Sequence, residues 1–263
     1  MRIQFNEAGF ARAAEGFAEA RPFSHVVIDD FFPVDLARAL EAEFPAFDAP
    51  VWHEYANALE VKKTCNSWLH FPALTYRTFS YLNSEDVAAL LSQALRLPRL
   101  HTDLGLNGGG WHAHGPGGRL NPHLDYSIHP KLGLQRKLNL IIYLTEGWQP
   151  EWGGGLGLWA HDPATDGPGD LVGELTPRFN RAVLFDTTQN SWHGVAGDIR
   201  CPAGVLRKSL AVYYLIEPPA DASDRGKALF APTDAQRGDP QVLELIRKRA
   251  SVNTAATVYR SEA

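Results

Sequence analysis

Apolar residues recur at helical spacing in several separate stretches of the chain and alternate with polar ones in shorter runs between them. An amphipathic segment from Glu7 to Ala20 opens the sequence and leads through Pro22 to a strand-like run, His25 to Asp30. Pro33 stands where a first helical turn tolerates a missing N–H, and Leu36, Ala39, Leu40 and Phe44 follow at helical intervals until Pro45. Val87, Leu90, Leu91 and Leu95 predict a further helix over Glu85 to Leu97, with Pro98 as its stop. Beyond about Leu100 the texture changes to short apolar runs broken by glycine and proline, the signature of strands joined by tight turns. In Lys137 to Leu144 the alternation sets Leu138, Leu140, Ile142 and Leu144 on one face and Asn139, Ile141 and Tyr143 on the other, the second suited to a pocket wall. Gly153 to Trp159, Arg181 to Phe185 and Ser209 to Leu215 predict more strands, and Val242, Leu245 and Ile246 form the stripe of a last helix, Pro240 to Arg249.

Helices, then many short β elements, then a helix predict an α+β protein built on a β-sandwich or small barrel, whose mouth is a natural ligand site. No repeat or long linker divides the chain, so a single domain is expected: a mostly helical support over 1–99, a β core over 100–217 and a C-terminal extension over 218–263. The extension segment Arg225 to Pro232 is read as packed structure rather than as a loop at the mouth of the site. Either flank can supply a homodimer interface.

Composition narrows the function classes. Of 263 residues, 44% are hydrophobic and 21% charged, ordinary for a globular protein with a sizeable core. A net charge of −5 offers no basic stripe for nucleic acid. No apolar run reaches the roughly 18 residues of a membrane span, and the N-terminus lacks a signal-like apolar stretch. Cys65 and Cys201, far apart and outside any CxxC pattern, fit reduced thiols. A cytoplasmic protein without nucleic-acid or membrane partners is the expectation.

The chemistry concentrates in Asn121 to Tyr126. Residues spaced i, i+2 on a strand share a face, so His123 and Asp125 can reach one metal ion, and a distant His193 can complete the set. Two histidines and a carboxylate with open positions are the ligand set of non-heme Fe(II) oxygenases. The pair His112 and His114 offers a rival, cupin-type site, but Gly117, Gly118 and Arg119 stand where such a site needs a glutamate. Arg207 opens a strand fourteen residues after His193. A guanidinium holds a carboxylate through two parallel N–H···O bonds, which suits it to the distal end of a dicarboxylate, with Ser209 or Tyr143 as helpers.

Together these motifs resemble the Fe(II)/2-oxoglutarate-dependent dioxygenase superfamily, in its prolyl 4-hydroxylase-like branch. The match runs from about Leu104 to Leu215: a Gly-containing lead-in, His123-x-Asp125, the strand with Tyr143, the Gly153 to Trp159 turn and strand, His193 and Arg207. The resemblance implies a double-stranded β-helix (jelly-roll) core with flanking helices and Fe(II) on His123, Asp125 and His193. It also implies 2-oxoglutarate as cosubstrate, with Arg207 on its far carboxylate, O2 as oxidant and hydroxylation as the usual outcome. Relatives often carry a tyrosine on the strand entering the motif, where this chain has Trp111, His112 and His114. Asp125 disfavours halogenation, since related halogenases carry a small residue there.

For a substrate the sequence permits a small molecule, a free amino acid or a prolyl group. The expected pocket residues are Trp111, His114, His129, Arg136 and Trp152. The rival classes are a non-catalytic cupin-like binding module and an iron dioxygenase that does not use 2-oxoglutarate, and Arg207 speaks against the second.

Overall fold

In the computed structural model, which describes residues 2–251 and Tyr259, two antiparallel sheets enclose a cavity, and helices pack on the outside of the larger sheet. The helices are α1 (Glu7–Ala14), α2 (Val34–Ala42), α3 (Ala73–Leu82), α4 (Glu85–Leu95) and α5 (Pro240–Ala250). The first strands are β1 (His25–Ile28), β2 (His53–Ala56), β3 (Glu60–Cys65), β4 (His101–Thr102), β5 (Gly110–His114), β6 (Arg119–Leu120) and β7 (His123–Leu124). There follow β8 (Gln135–Tyr143), β9 (Gly155–Asp162), β10 (Gly167–Leu175), β11 (Ala182–Asp186), β12 (His193–Ala196), β13 (Arg207–Ile216) and β14 (Leu229–Phe230).

The larger sheet runs β1-β11-β8-β13-β5-β3-β2, with β4 on β13 and β6 on β3, and the smaller runs β10-β9-β12-β7-β14. This is the double-stranded β-helix that the resemblance implies. The alternation of β8 holds: Leu138, Leu140 and Ile142 pack outward against Leu36, Leu40, Phe79 and Leu91 of the helices. On the other face Asn139 and Ile141 line the cavity, and Tyr143 closes a small core between the sheets with Leu156, Leu158, Val183 and Phe185. Strand β13 repeats the pattern, with Leu210, Val212 and Tyr214 outward and Arg207, Ser209, Ala211 and Tyr213 inward.

Local chemistry sets the helix ends. Ser84 accepts the Val87 N–H, Glu85 and Asp86 occupy the favourable first turn, and Arg96 takes a left-handed conformation (φ 55°), so α4 stops at Leu95, short of Leu97. Leu97 precedes Pro98 and is itself biased away from helix. The opening helix ends at Ala14, ahead of Gly16, and tighter turns continue it. In α5, Asp239 accepts the Gln241 and Val242 N–H groups, Pro240 starts the helix, and Arg247, Lys248 and Arg249 fill its last turn.

The N-terminal support carries more than helices. Its β1 pairs with β11, and the β2–β3 hairpin extends the large sheet past β5. Consecutive Lys62 and Lys63 hide β3 from a hydrophobicity pattern, yet Glu60, Lys62 and Thr64 alternate inward to the cavity. Residues 252–258 and 260–263 of the C-terminal extension lie outside the described residues. No helix among the described residues is long and apolar enough to cross a membrane.

Candidate active site

Strand pairing assembles the candidate metal ligands. His123 on β7 lies opposite His193 on β12 in register, and Asp125 follows directly after β7. One ligand atom from each of the three lies within 4.8 Å of the others, and all three residues are buried. Each imidazole is turned by its own backbone: His123 Nδ1 is 3.0 Å from the Asn121 carbonyl, and His193 Nδ1 is 2.8 Å from that of Ser191. That fixes Nδ1 as the donor and leaves Nε2 as a lone-pair ligand. The two Nε2 atoms lie 3.9 and 3.8 Å from the Asp125 carboxylate oxygens.

Electrostatics keep the set in its ligating form. Burial, with His193 beside it, holds the His123 imidazole down to about 3. Burial likewise lowers His193. For Asp125, burial acts to raise the carboxyl, but Arg136 and the two imidazoles outweigh it and hold the group at about 2. Two neutral imidazoles and one carboxylate fit a divalent iron with open positions. Asn139 Nδ2 is 3.3 Å from Asp125 Oδ2, and Arg225 donates to the Asp125 carbonyl from Nε (3.1 Å) and Nη2 (2.9 Å). Phe230 stacks on the His123 ring at 5.1 Å.

Arg207 is buried on β13. Its Nε donates to the Gly154 carbonyl at 2.6 Å, and its Nη2 is 3.3 Å from the Tyr143 hydroxyl. Gly154, at φ +76°, makes this approach possible: a Cβ there would lie 3.2 Å from Arg207 Cδ and 3.1 Å from Trp148. Burial pulls the guanidinium below its ordinary range, with Tyr143 partly offsetting, but a guanidinium stays protonated. Among the described residues no carboxylate pairs with it. Opposite it in register lies His114, buried, with neither ring nitrogen bonded. Burial, then the Arg207 and Lys62 charges, hold His114 well below the usual imidazole range.

The cavity, of about 770 Å3, is lined by His123, Asp125, His193, Arg207, Ser209, His114, His129 and Arg136 among others, so it brings together most of the expected residues. His129 is occupied in a turn, its Nδ1 accepting from Lys131 N (3.2 Å) and Leu132 N (3.1 Å). Two expectations fail. Trp111 is one residue out of phase with His112 and His114 on β5, so it faces outward and packs on Phe44, Trp52 and Phe71. Trp152 sits behind the Gly153–Gly154 turn, edge-on to Trp148 at 5.4 Å, in a cluster with Val195 and Ile199.

The cavity also holds residues that sequence patterns passed over. Glu60 and Lys62 of β3, Arg249 of α5 and Tyr259 form its outer wall. Within Arg225 to Pro232, expected to be packed extension, Arg225 reaches the Asp125 carbonyl, Phe230 stacks on His123, and residues between them form part of the mouth. The alternation Glu60-x-Lys62-x-Thr64 was the available signal for the hairpin, but nothing local tied it to the site.

Residues 109–215 match the 2OG-Fe(II) oxygenase superfamily. No curated protein matches the chain. Among solved structures, a Pseudomonas putida prolyl-4-hydroxylase is 21% identical with a TM-score of 0.56, covering 79% of this chain and 98% of its own. A Trichoplax adhaerens prolyl hydroxylase, solved with a hypoxia inducible factor oxygen degradation domain peptide fragment, is 16% identical with a TM-score of 0.54, covering 80% and 90%. A Phytophthora capsici prolyl 4-hydroxylase is 20% identical with a TM-score of 0.50, covering 95% and 78%. Residues 109–215 are thus similar to the 2OG-Fe(II) oxygenase superfamily, and the chain shares its fold with prolyl 4-hydroxylases.

Proposed function

We propose that this protein is an Fe(II)- and 2-oxoglutarate-dependent hydroxylase in which His123, Asp125 and His193 hold the iron and Arg207 receives the far carboxylate of the cosubstrate. The observation that carries the reading is the pairing of a buried His-Asp-His cluster with a buried arginine that has no carboxylate partner among the described residues. When bound, iron and 2-oxoglutarate supply the oxygen chemistry, consuming O2, releasing succinate and CO2 and placing one oxygen atom on a substrate C–H bond.

The chain's own groups bind, orient and exclude water. The Tyr143 hydroxyl near Arg207 Nη2 is a second donor to the carboxylate, and neutral His114 across the strand pair offers a third. Ser209 lines the same side of the cavity. Phe230 and Phe185 pack on the two imidazoles and keep the ligand side dry. Tyr259 and Arg249 wall the cavity on its outer side, which favours a small-molecule substrate over an extended chain. The two buried free thiols, Cys65 and Cys201, suit a reducing cytosol.

The test is anaerobic titration with Fe(II) and 2-oxoglutarate. Binding in the proposed mode gives a visible metal-to-ligand charge-transfer band, and folded protein without that band would sink the assignment. His123→Ala or His193→Ala should abolish oxygen-dependent succinate formation while the chain stays folded.

A further inference from the structure

Two positive charges on the cavity wall are in excess of the carboxylates that face them among the described residues. Asp125 is matched by Arg136, 3.3 Å away. Arg207 is one surplus, which the cosubstrate's far carboxylate accounts for. The other stands on the outer wall. Glu60, 1% exposed, is shared by two cations: Lys62 Nζ is 3.0 Å from Oε2, and Arg249 bonds Oε1. Burial acts to raise Glu60, yet Lys62 and Arg249 bring it below its ordinary value, so it carries a full negative charge. Among the described residues, one negative against two positives leaves one positive charge over.

The surplus is most available at Lys62. Arg249 is spent on Glu60 and lies over the rings of Phe230 (5.0 Å) and Tyr259 (4.4 Å). The Lys62 side chain is 13% exposed, its ammonium 4.9 Å from the Tyr55 ring centre, and it lines the same cavity as the metal ligands. Surplus positive charge in a largely buried wall is costly, and a ligand that brings an anion lowers the cost.

We propose that Lys62, held in place by Glu60, is the specificity residue for an anionic group on the primary substrate, a small molecule seated between Lys62 and the metal ligands. The inference rests on the oxygenase reading above and names the substrate class it takes. An ammonium receives a carboxylate or a phosphate as a point charge, so the test separates these two sources.

The experiment uses the full chain under anaerobic conditions with metal and 2-oxoglutarate saturating, so that Arg207 is filled. Matched probes are offered as pairs: L-proline and L-lysine against their primary amides, and glucose 6-phosphate against glucose. Binding is read from the melting temperature and by calorimetry. The anionic member of at least one pair should bind more tightly than its neutral partner, and the type of pair identifies the anion. Lys62→Met, which keeps the apolar stem, should cut that preference roughly ten-fold or more, and Lys62→Arg should restore it. The inference is overturned if no anion outbinds its neutral partner, or if the preference survives in Lys62→Met. Failure of the charge-transfer band instead refutes the oxygenase reading, because the comparison of wild type with Lys62→Met does not depend on the band.

Discussion

The Arg136 guanidinium lies 3.3 Å from Asp125 Oδ1 and is clamped between the rings of Tyr126 and Tyr213, 3.5 and 3.3 Å from their centres. Its Nη2 donates to the Asn107 carbonyl at 2.6 Å. The arginine is therefore fixed from both faces and from one edge, and it presents its charge to the carboxylate between the two histidines.

Removing one partner of a buried ion pair leaves an uncompensated charge, at a cost of about 3–5 kcal/mol. Arg136→Met should lower the stability of the metal-free protein by that order. A bound divalent ion supplies positive charge to Asp125, so the loss should shrink once metal is added. Urea melts with and without Mn(II) check this, and an equal loss in both states would contradict the pairing.

Arg207→Ala should weaken 2-oxoglutarate binding, because one or two charge-assisted hydrogen bonds of about 1.5–3 kcal/mol each disappear. That corresponds to roughly ten-fold or more in Kd, read from the anaerobic absorption titration. Arg207→Lys should not restore it, since an ammonium lacks the planar fork. An unchanged Kd in Arg207→Ala would remove the arginine from the cosubstrate site.

Phe230 ties the C-terminal segment to the metal ligands through its stack on His123 and packs with Leu59 and Val242. Phe230→Ala should cost about 3–5 kcal/mol, as for other buried phenylalanines. Phe230→Leu should cost less. Chemical denaturation measures both, and a loss below about 1 kcal/mol in Phe230→Ala would show that the segment is not anchored there.

Acid should destabilise the metal-free protein well above the carboxylate range. His112 and His123 are held near 3 by burial, and His114 and His193 are also lowered. Each is neutral when folded but protonates near 6.5 when unfolded, so below about 6.5 the unfolded chain binds more protons, down to about 3 for His112 and His123. Stability is complete above the unfolded value and falls as pH drops below it, by up to about 1.4 kcal/mol per pH unit for each such group. Denaturant midpoints at pH 7.5 and 5.0 should differ strongly, and equal midpoints would contradict four neutral imidazoles lining the cavity.

Much of this protein is local in the sequence. The alternation of β8 and β13, the capped start of α4 and the order His123, Asp125, His193, Arg207 are visible because each depends on a short period or a compact motif. Side-chain direction on β5 was not visible. Gly108 to Gly110 give no hydrophobic phase, and only pairing with β13 and β3 shows that His112 and His114 face inward while Trp111 faces the helices.

What the chain carries by itself is the candidate ligand set His123, Asp125 and His193 with Arg207, since the residue types and their spacing limit which ions and anions they can hold. What only the tertiary structure decided is the rest of the cavity. Glu60 and Lys62 come from a hairpin with no apolar pattern, Arg249 from the last turn of α5, and Phe230 from a two-residue strand. None carries a periodic or motif signal, because each owes its position to long-range antiparallel pairing and to a shared buried charge that exists only once the segments meet.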